Sequence, residues 1–194
     1  MSSETAEAAR ASQMPERAAA GHHRAADWPE HVFAKLREAD VRQVTYVPDA
    51  GHARLIELCH ADPAMKTTVL TTEQEGIGVL AGAWLGGERG VLLMQSSGVG
   101  NCVNMLSLIN GGRFPFLALI SMRGEWGEIN PWQVPMGQMT ASNLRLAGAV
   151  VYEVTDPAMA GDTVEAAARI AFNGNLTAAV LLSQRMLGTK LFKD

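Results

Sequence analysis

Six short apolar segments, met one after another with helical stretches between them, limit most strongly what this chain can fold into. They read VRQVTYVP, TTVLTT, GVLLMQS, FPFLALIS, VVYEV and TAAVLLS. GVLLMQS is a continuous apolar run, the pattern of a strand covered on both faces rather than on one. The intervening stretches have helical character. WPEHVFAKLREAD places Val32, Phe33 and Leu36 on one face, and ARLIELCHAD, EQEGIGVLAGAWLGG, SGVGNCVNMLSLING, ASNLRLAGA and TVEAAARIAFNG follow. Strand–helix alternation of this kind implies an α/β domain, a three-layer α/β/α sandwich with a mainly parallel sheet.

Composition fits one such domain with a tail. At 194 residues, 47% hydrophobic and 19% charged, the chain can bury a sizeable core. Residues 1–27 are Ala-rich without aliphatic periodicity and read as a tail in which His22 and His23 are solvated; the domain is expected over 28–194. A formal net charge of -4 leaves no footprint for nucleic acid or a membrane surface. The longest apolar runs are strand-length, far short of a membrane span, and the N-terminus lacks a signal-peptide layout. A cytoplasmic protein is expected. Cys59 and Cys102 stand among apolar and small residues in no metal-ligand spacing and read as core thiols.

Open parallel sheets bind ligands beyond the carboxyl ends of their strands. Three loops, VPDAGH, TTEQEG and QSSGVGN, each follow an expected strand and so converge there. Glu73 is a candidate acid/base or hydrogen-bond partner for a heterocycle. It can equally be a first-turn carboxylate favoured by the helix dipole, with Thr72 as the cap. The helix behind it is paved with Gly76, Gly78, Ala81, Gly82, Ala83, Gly86 and Gly87. Each interior glycine costs about 1 kcal/mol against alanine, so close approach by another chain or a flat ligand is the compensating use. QSSGVGN reads as a Gly-rich turn opening a helix, matching neither a Walker loop nor a full G-x-G-x-x-G. The loop RGEWGEINPWQ is long and rich in Trp, Arg and Glu: a lid, a partner surface or a solvated loop. His52 is the histidine near a candidate site loop; His31 and His60 fall in helices.

Taken in order, VPDAGH, TTEQEG, VLLMQSSGVGN and RGEWGEINPWQVPMG resemble the pyrimidine-binding domain of thiamine diphosphate-dependent decarboxylases, over about residues 28 to 190. Within that group the chain is most similar to sulfopyruvate decarboxylase α subunits, with phosphonopyruvate decarboxylases as siblings. The family keeps a glutamate at the end of the second strand with a small residue three places on. Glu73 fits through Gly76 and Ala81-Gly82, and Glu75, followed by Gly78, is the runner-up. The resemblance implies that this glutamate hydrogen-bonds the cofactor's pyrimidine ring nitrogen. It also implies that Pro48, Glu75, Gln95, Ser96, Ser97, Gly98 and Asn101 line the cofactor pocket and subunit contact. The substrate, a small anionic 2-oxo acid, is expected against Asp49, Ala50, His52, Arg123 and Glu125, with His52 as a proton shuttle and Arg123 as the cation.

The family holds the diphosphate through Mg²⁺ on a Gly-Asp-Gly and a downstream Asn pair in a second domain. The nearest approach here, Gly161-Asp162-Thr163 with Asn173 and Asn175, is too tightly spaced and reads as a helix start. The resemblance therefore implies no metal ligand on this chain and a β subunit that carries Mg²⁺, in a hetero-oligomer such as α2β2 or larger. The rival readings are another decarboxylase or carboligase subunit of the same cofactor family, and a silent regulatory or scaffold subunit.

Overall fold

A computed structural model describes residues 27–189. The expected tail, apart from Asp27, and with it His22 and His23, lies outside the described residues. Six strands form one sheet in the order β2-β1-β3-β4-β6-β5. They are β1 (Val41–Tyr46), β2 (Lys66–Val69), β3 (Arg89–Gln95), β4 (Phe116–Ser121), β5 (Val150–Val154) and β6 (Thr177–Leu182). Every neighbouring pair is parallel. The helices are α1 (Trp28–Glu38), α2 (Ala53–Ala61), α3 (Glu73–Leu85), α4 (Ser96–Cys102), α5 (Leu106–Gly112), α6 (Val134–Leu146), α7 (Ala160–Gly174) and α8 (Gln184–Leu187).

The central strands show why their sequences are apolar throughout. In β3, Val91 and Leu93 pack into the core under α1 and α7, while Leu92 and Met94 pack into the opposite core under α3, α4 and α5. Leu117 and Leu119 of β4 alternate with Phe116, Ala118 and Ile120 in the same way. Successive strand residues point to opposite faces, so a strand with helices on both sides needs apolar side chains at every position. The result is the three-layer α/β/α sandwich.

The chain runs from β1 outward to β2, returns across β1 to β3 and β4, then passes to the edge strand β5 and comes back as β6 between β4 and β5. The loops leaving β1 and β3 therefore diverge at a switch point, the crevice where open sheets take ligands. Two boundaries differ from the sequence reading. The Gly-rich turn does not exist, because helix α4 begins at Ser96 directly after β3. Helix α6 begins at Val134 rather than at Ala141. Pro135 stands in its first turn, where a missing N–H costs nothing, and Gly137 lets the helix press against the carbonyl oxygen of Arg123. Read one residue at a time, Pro and Gly suggested loop; here one starts the helix and the other seats it.

Candidate active site

Glu73 opens α3 and is buried, 8% exposed. Its Oε2 accepts a hydrogen bond from Asn101 Nδ2 at 2.8 Å, so α4 holds the carboxylate in place. Its Oε1 has no hydrogen-bond partner among the described residues. The chain of Glu73 crosses directly over Gly98: a Cβ there would stand 2.5 Å from Glu73 Cγ, Cδ and Oε1. Gly98 is thus a close-approach glycine, and its role is to let the glutamate lie flat on α4. Glu75 behaves differently. It is exposed, and its Oε2 accepts from the backbone N–H of Thr71 at 3.0 Å, closing the start of α3 as a capping carboxylate. One glutamate caps; the other is held with an oxygen to offer.

Beside Glu73 the loop after β1 and the end of β3 are tied together. Asp49 Oδ1 accepts from Gln95 Nε2 at 3.0 Å, and Asp49 Oδ2 accepts from Gly51 N at 3.1 Å and from the Ser121 hydroxyl. Gln95 Oε1 accepts in turn from Ser97 Oγ at 2.9 Å and from Gln133 Nε2 at 3.0 Å. Because a carboxylate can only accept, the amide of Gln95 must present its NH₂ to Asp49 and its oxygen to Ser97 and Gln133. One charged group therefore fixes the polarity of the whole chain of hydrogen bonds. Pro48 and Ala50 flank Asp49 and are exposed.

The remaining expected site residues are held by contacts within the chain or buried in it. Ser96 is fully buried and bonds backbone, accepting from Arg123 N at 3.0 Å and donating to Arg123 O at 3.3 Å; it anchors the loop after β4. Arg123 is not an open cation. Its Nε and Nη2 each donate to Glu128 at 2.6 Å, a two-pronged pair that is 9% and 3% exposed. Glu128 also accepts from Gly124 N, Asn130 N and Gln184 Nε2, and these partners hold its carboxyl down to about 2, the arginine being the largest cause. Glu125 faces the C-terminal segment: its Oε2 accepts from Gln184 N, while Glu125 N and Trp126 N donate to Gln184 Oε1. Burial raises the Glu125 carboxyl.

His52 is sealed in the interior, 1% exposed, with both ring nitrogens unbonded and Nδ1 at 3.6 Å from Asp49 Oδ2. Burial pushes its pKa down to about 4, with the Asp49 charge opposing. A neutral ring without access to the pocket cannot shuttle protons to a bound substrate in this arrangement. Its contribution is packing beneath Asp49. Cys59 and Cys102 are free, buried thiols, both pushed up to about 12 by burial, hence unreactive.

Sequence reasoning missed Ser121, Glu128, Gln133 and Gln184. Ser121 carried a usable signal, a polar residue ending an apolar strand, the same signal that marked Gln95. Glu128 and Gln133 carried none, since what they touch is set by how the loop folds back. Asp162 lies in the first turn of α7, as a helix-starting acid. Among the described residues no cluster of three or more His, Cys, Asp or Glu is placed to hold a metal ion. Among the same residues, no helix is long and apolar enough to cross a membrane.

The small-residue helix divides by face. A Cβ at Gly76 would meet Leu92 at 2.7 Å and Leu70 at 2.9 Å, so Gly76 seats α3 on the sheet. Gly78 and Gly82 meet nothing within 4 Å, and Val79 and Leu85 beside them are exposed. Half of the glycine pattern is thus explained inside the chain and half faces outward.

No protein-family model matches the chain. It is 36% identical over 157 residues to sulfopyruvate decarboxylase subunit alpha of Methanothermobacter thermautotrophicus, covering 80% of this chain and 95% of that protein. The corresponding subunit of Methanococcus maripaludis is 34% identical, over 79% of this chain and 92% of its own. Phosphonopyruvate decarboxylase of Streptomyces viridochromogenes is 38% identical over 59% of this chain but only 30% of its own length. Among solved structures, a 2-oxoglutarate:ferredoxin oxidoreductase from Magnetococcus marinus matches with a TM-score of 0.65 at 11% identity, over 82% of this chain and 29% of that one, a likeness of fold. Near full-length coverage of the α subunits, against under a third of the phosphonopyruvate enzyme, decides the assignment: the chain belongs to the family of sulfopyruvate decarboxylase α subunits.

Proposed function

We propose that this chain is the cofactor-activating half of a thiamine diphosphate-dependent decarboxylase that converts 3-sulfopyruvate to sulfoacetaldehyde and CO₂, and that it works only with a β subunit. The observation that carries the reading is the Glu73 carboxylate, with one oxygen held by Asn101 and the other free above Gly98. A planar heterocycle with a ring nitrogen that shares a proton fits that free oxygen, and Gly98 leaves the space in which the glutamate side chain lies to present it. When bound, the cofactor supplies the electron sink that decarboxylation of a 2-oxo acid requires.

The chain's own residues then have separable tasks. Glu73 holds a proton at Oε1 against the ring nitrogen. Asn101 keeps the carboxylate from rotating away. Gln95 and Ser97, oriented by Asp49, form the polar wall beside it. The C-terminal ends of β1 and β4 shape a pocket of about 110 Å³ between Asp49, Ser121 and Arg123. Mg²⁺ and the diphosphate fall to the partner subunit, a reading supported by the subunit names of the relatives. The outward face with Gly78 and Gly82 is the candidate contact, since glycines at which a Cβ would meet nothing among the described residues permit close packing by another chain.

Co-expression with the β subunit, followed by assay of CO₂ release from sulfopyruvate with thiamine diphosphate and Mg²⁺, tests the proposal. Glu73→Gln is expected to lower kcat about a hundredfold or more, and Glu75→Gln to leave it within a factor of a few. No CO₂ from the wild-type complex, or equal effects of the two substitutions, would overturn the assignment.

A further inference from the structure

We infer that the positive charge holding the anionic groups of the substrate is supplied by the partner subunit and not by this chain. The inference rests on the functional reading above and deepens it. The pocket between the loops after β1 and β4 is lined by Asp49, Gly51, Ser121, Arg123, Leu187 and Thr189, among others. Of the described side chains lining it, Arg123 is the one cation.

The local charges do not suit an anion. Asp49 is satisfied by the Gly51 N–H, the Ser121 hydroxyl and the Gln95 amide, dipoles that stabilise its charge without cancelling it. Arg123 is matched by Glu128 across two 2.6 Å hydrogen bonds, so the pair is neutral. His52 lies beneath, buried and uncharged at neutral pH. The pocket wall formed by the described residues is therefore net negative, and a 2-oxo acid with a carboxylate and a sulfonate adds two charges of the same sign. Juxtaposed like charges oppose binding unless a cation stands between them.

Arg123 cannot readily be released to serve as that cation. Glu128 is buried and also fastens Gly124, Asn130 and Gln184, so withdrawing the guanidinium would strand a carboxylate in the interior. Arg185, two residues before the lining residue Leu187, has its guanidinium 5.0 Å over the Trp126 ring, outside the pocket lining. Lys190 follows the pocket residue Thr189 and lies outside the described residues. A site that must bind a dianion thus has its own cation already committed, and the side of the pocket that this chain leaves open is where the partner's charge enters.

The test is calorimetric titration of sulfoacetate, a non-reacting molecule with the same two anionic groups, into the complete complex. The variants are Arg123→Met/Glu128→Leu, which replaces the pair by apolar groups, Arg123→Lys, which keeps charge but loses the fork, Arg185→Gln and Lys190→Gln. Kd within about threefold of wild type in all of them supports the inference. A tenfold weakening in any one, with melting unchanged, overturns it and places the cation on this chain. If the double variant fails to assemble, Arg123→Gln/Glu128→Gln, which removes both charges and keeps polar side chains of similar size, carries the arginine arm alone. Absence of sulfoacetate binding by the wild-type complex also overturns it. Because the readout is binding, it remains decisive if the complex releases no CO₂ from sulfopyruvate, the result that would sink the functional reading instead.

Discussion

At the scale of single residues, the same chemical group takes opposite roles according to its neighbours. Glu73 and Glu75 are two positions apart in one helix turn, yet one is buried on α4 and the other closes the helix start. His52 gives a pH signature of its own. Its folded pKa, about 4, lies below the ordinary value of 6.5, because burial disfavours the charged ring. Below 6.5 the unfolded chain takes up a proton that the folded chain refuses. The stability present above pH 6.5 is therefore lost as pH falls towards 4, by about 3 kcal/mol over that window. Denaturant unfolding at pH 7.0 and 4.5 should show this loss, and His52→Leu should flatten it. An unchanged slope in the variant would show that other groups cause the acid sensitivity.

Among elements, α4 and the loop after β4 are the parts whose packing builds the site. Gly98→Ala forces a methyl into the space of the Glu73 side chain. Overpacking of this kind costs roughly 1–3 kcal/mol. The larger consequence is expected in activity, because the carboxylate is the group that must move. A kcat loss comparable to that of Glu73→Gln, with melting only modestly lowered, is the expected outcome; retained kcat would show that the carboxylate has room to lie elsewhere. In the loop, Glu128→Gln removes the charge that balances buried Arg123 and is expected to destabilise the chain by about 3 kcal/mol, measured by urea unfolding. Exposed Trp126 and Trp132 on the same loop should gain mobility together, visible as a change in tryptophan anisotropy.

For the whole molecule, the sheet order sets where chemistry can occur. The loops after β1 and β3 meet because those strands are neighbours although β2 separates them in sequence. Asp49 and Gln95, brought together there, are joined by a 3.0 Å hydrogen bond. The outward face of α3 is the corresponding feature for assembly. A Cβ at Gly82 meets nothing within 4 Å among the described residues, so Gly82→Trp starts into open space and the melting temperature of the α chain is expected to stay within a few degrees of wild type. In the complex the same substitution is expected to abolish co-elution with the β subunit on size exclusion. Normal assembly would move the interface to another face.

Much of the fold was legible before any coordinates. Strand periodicity is local: GVLLMQS and FLALIS are apolar at every position because both faces of their sheet are covered, and the composition records that fact directly. The loops of the candidate site were legible for the same reason, each being the polar residues that follow an apolar strand, and Glu73 became a candidate through its place there together with the family resemblance. What the sequence could not determine was which charges are free. Arg123 read as a cation for the substrate, and only the returning loop shows it held by Glu128, five residues on. His52 read as a proton carrier, and only the packed turn shows it buried with no bonded partner. Helix α6 started earlier than its residues suggested because a proline and a glycine are breakers or seats according to what lies opposite them. Periodicity and turn chemistry act along the chain and are written in it. Charge pairing and burial depend on contacts made through space, and only the tertiary structure decides them.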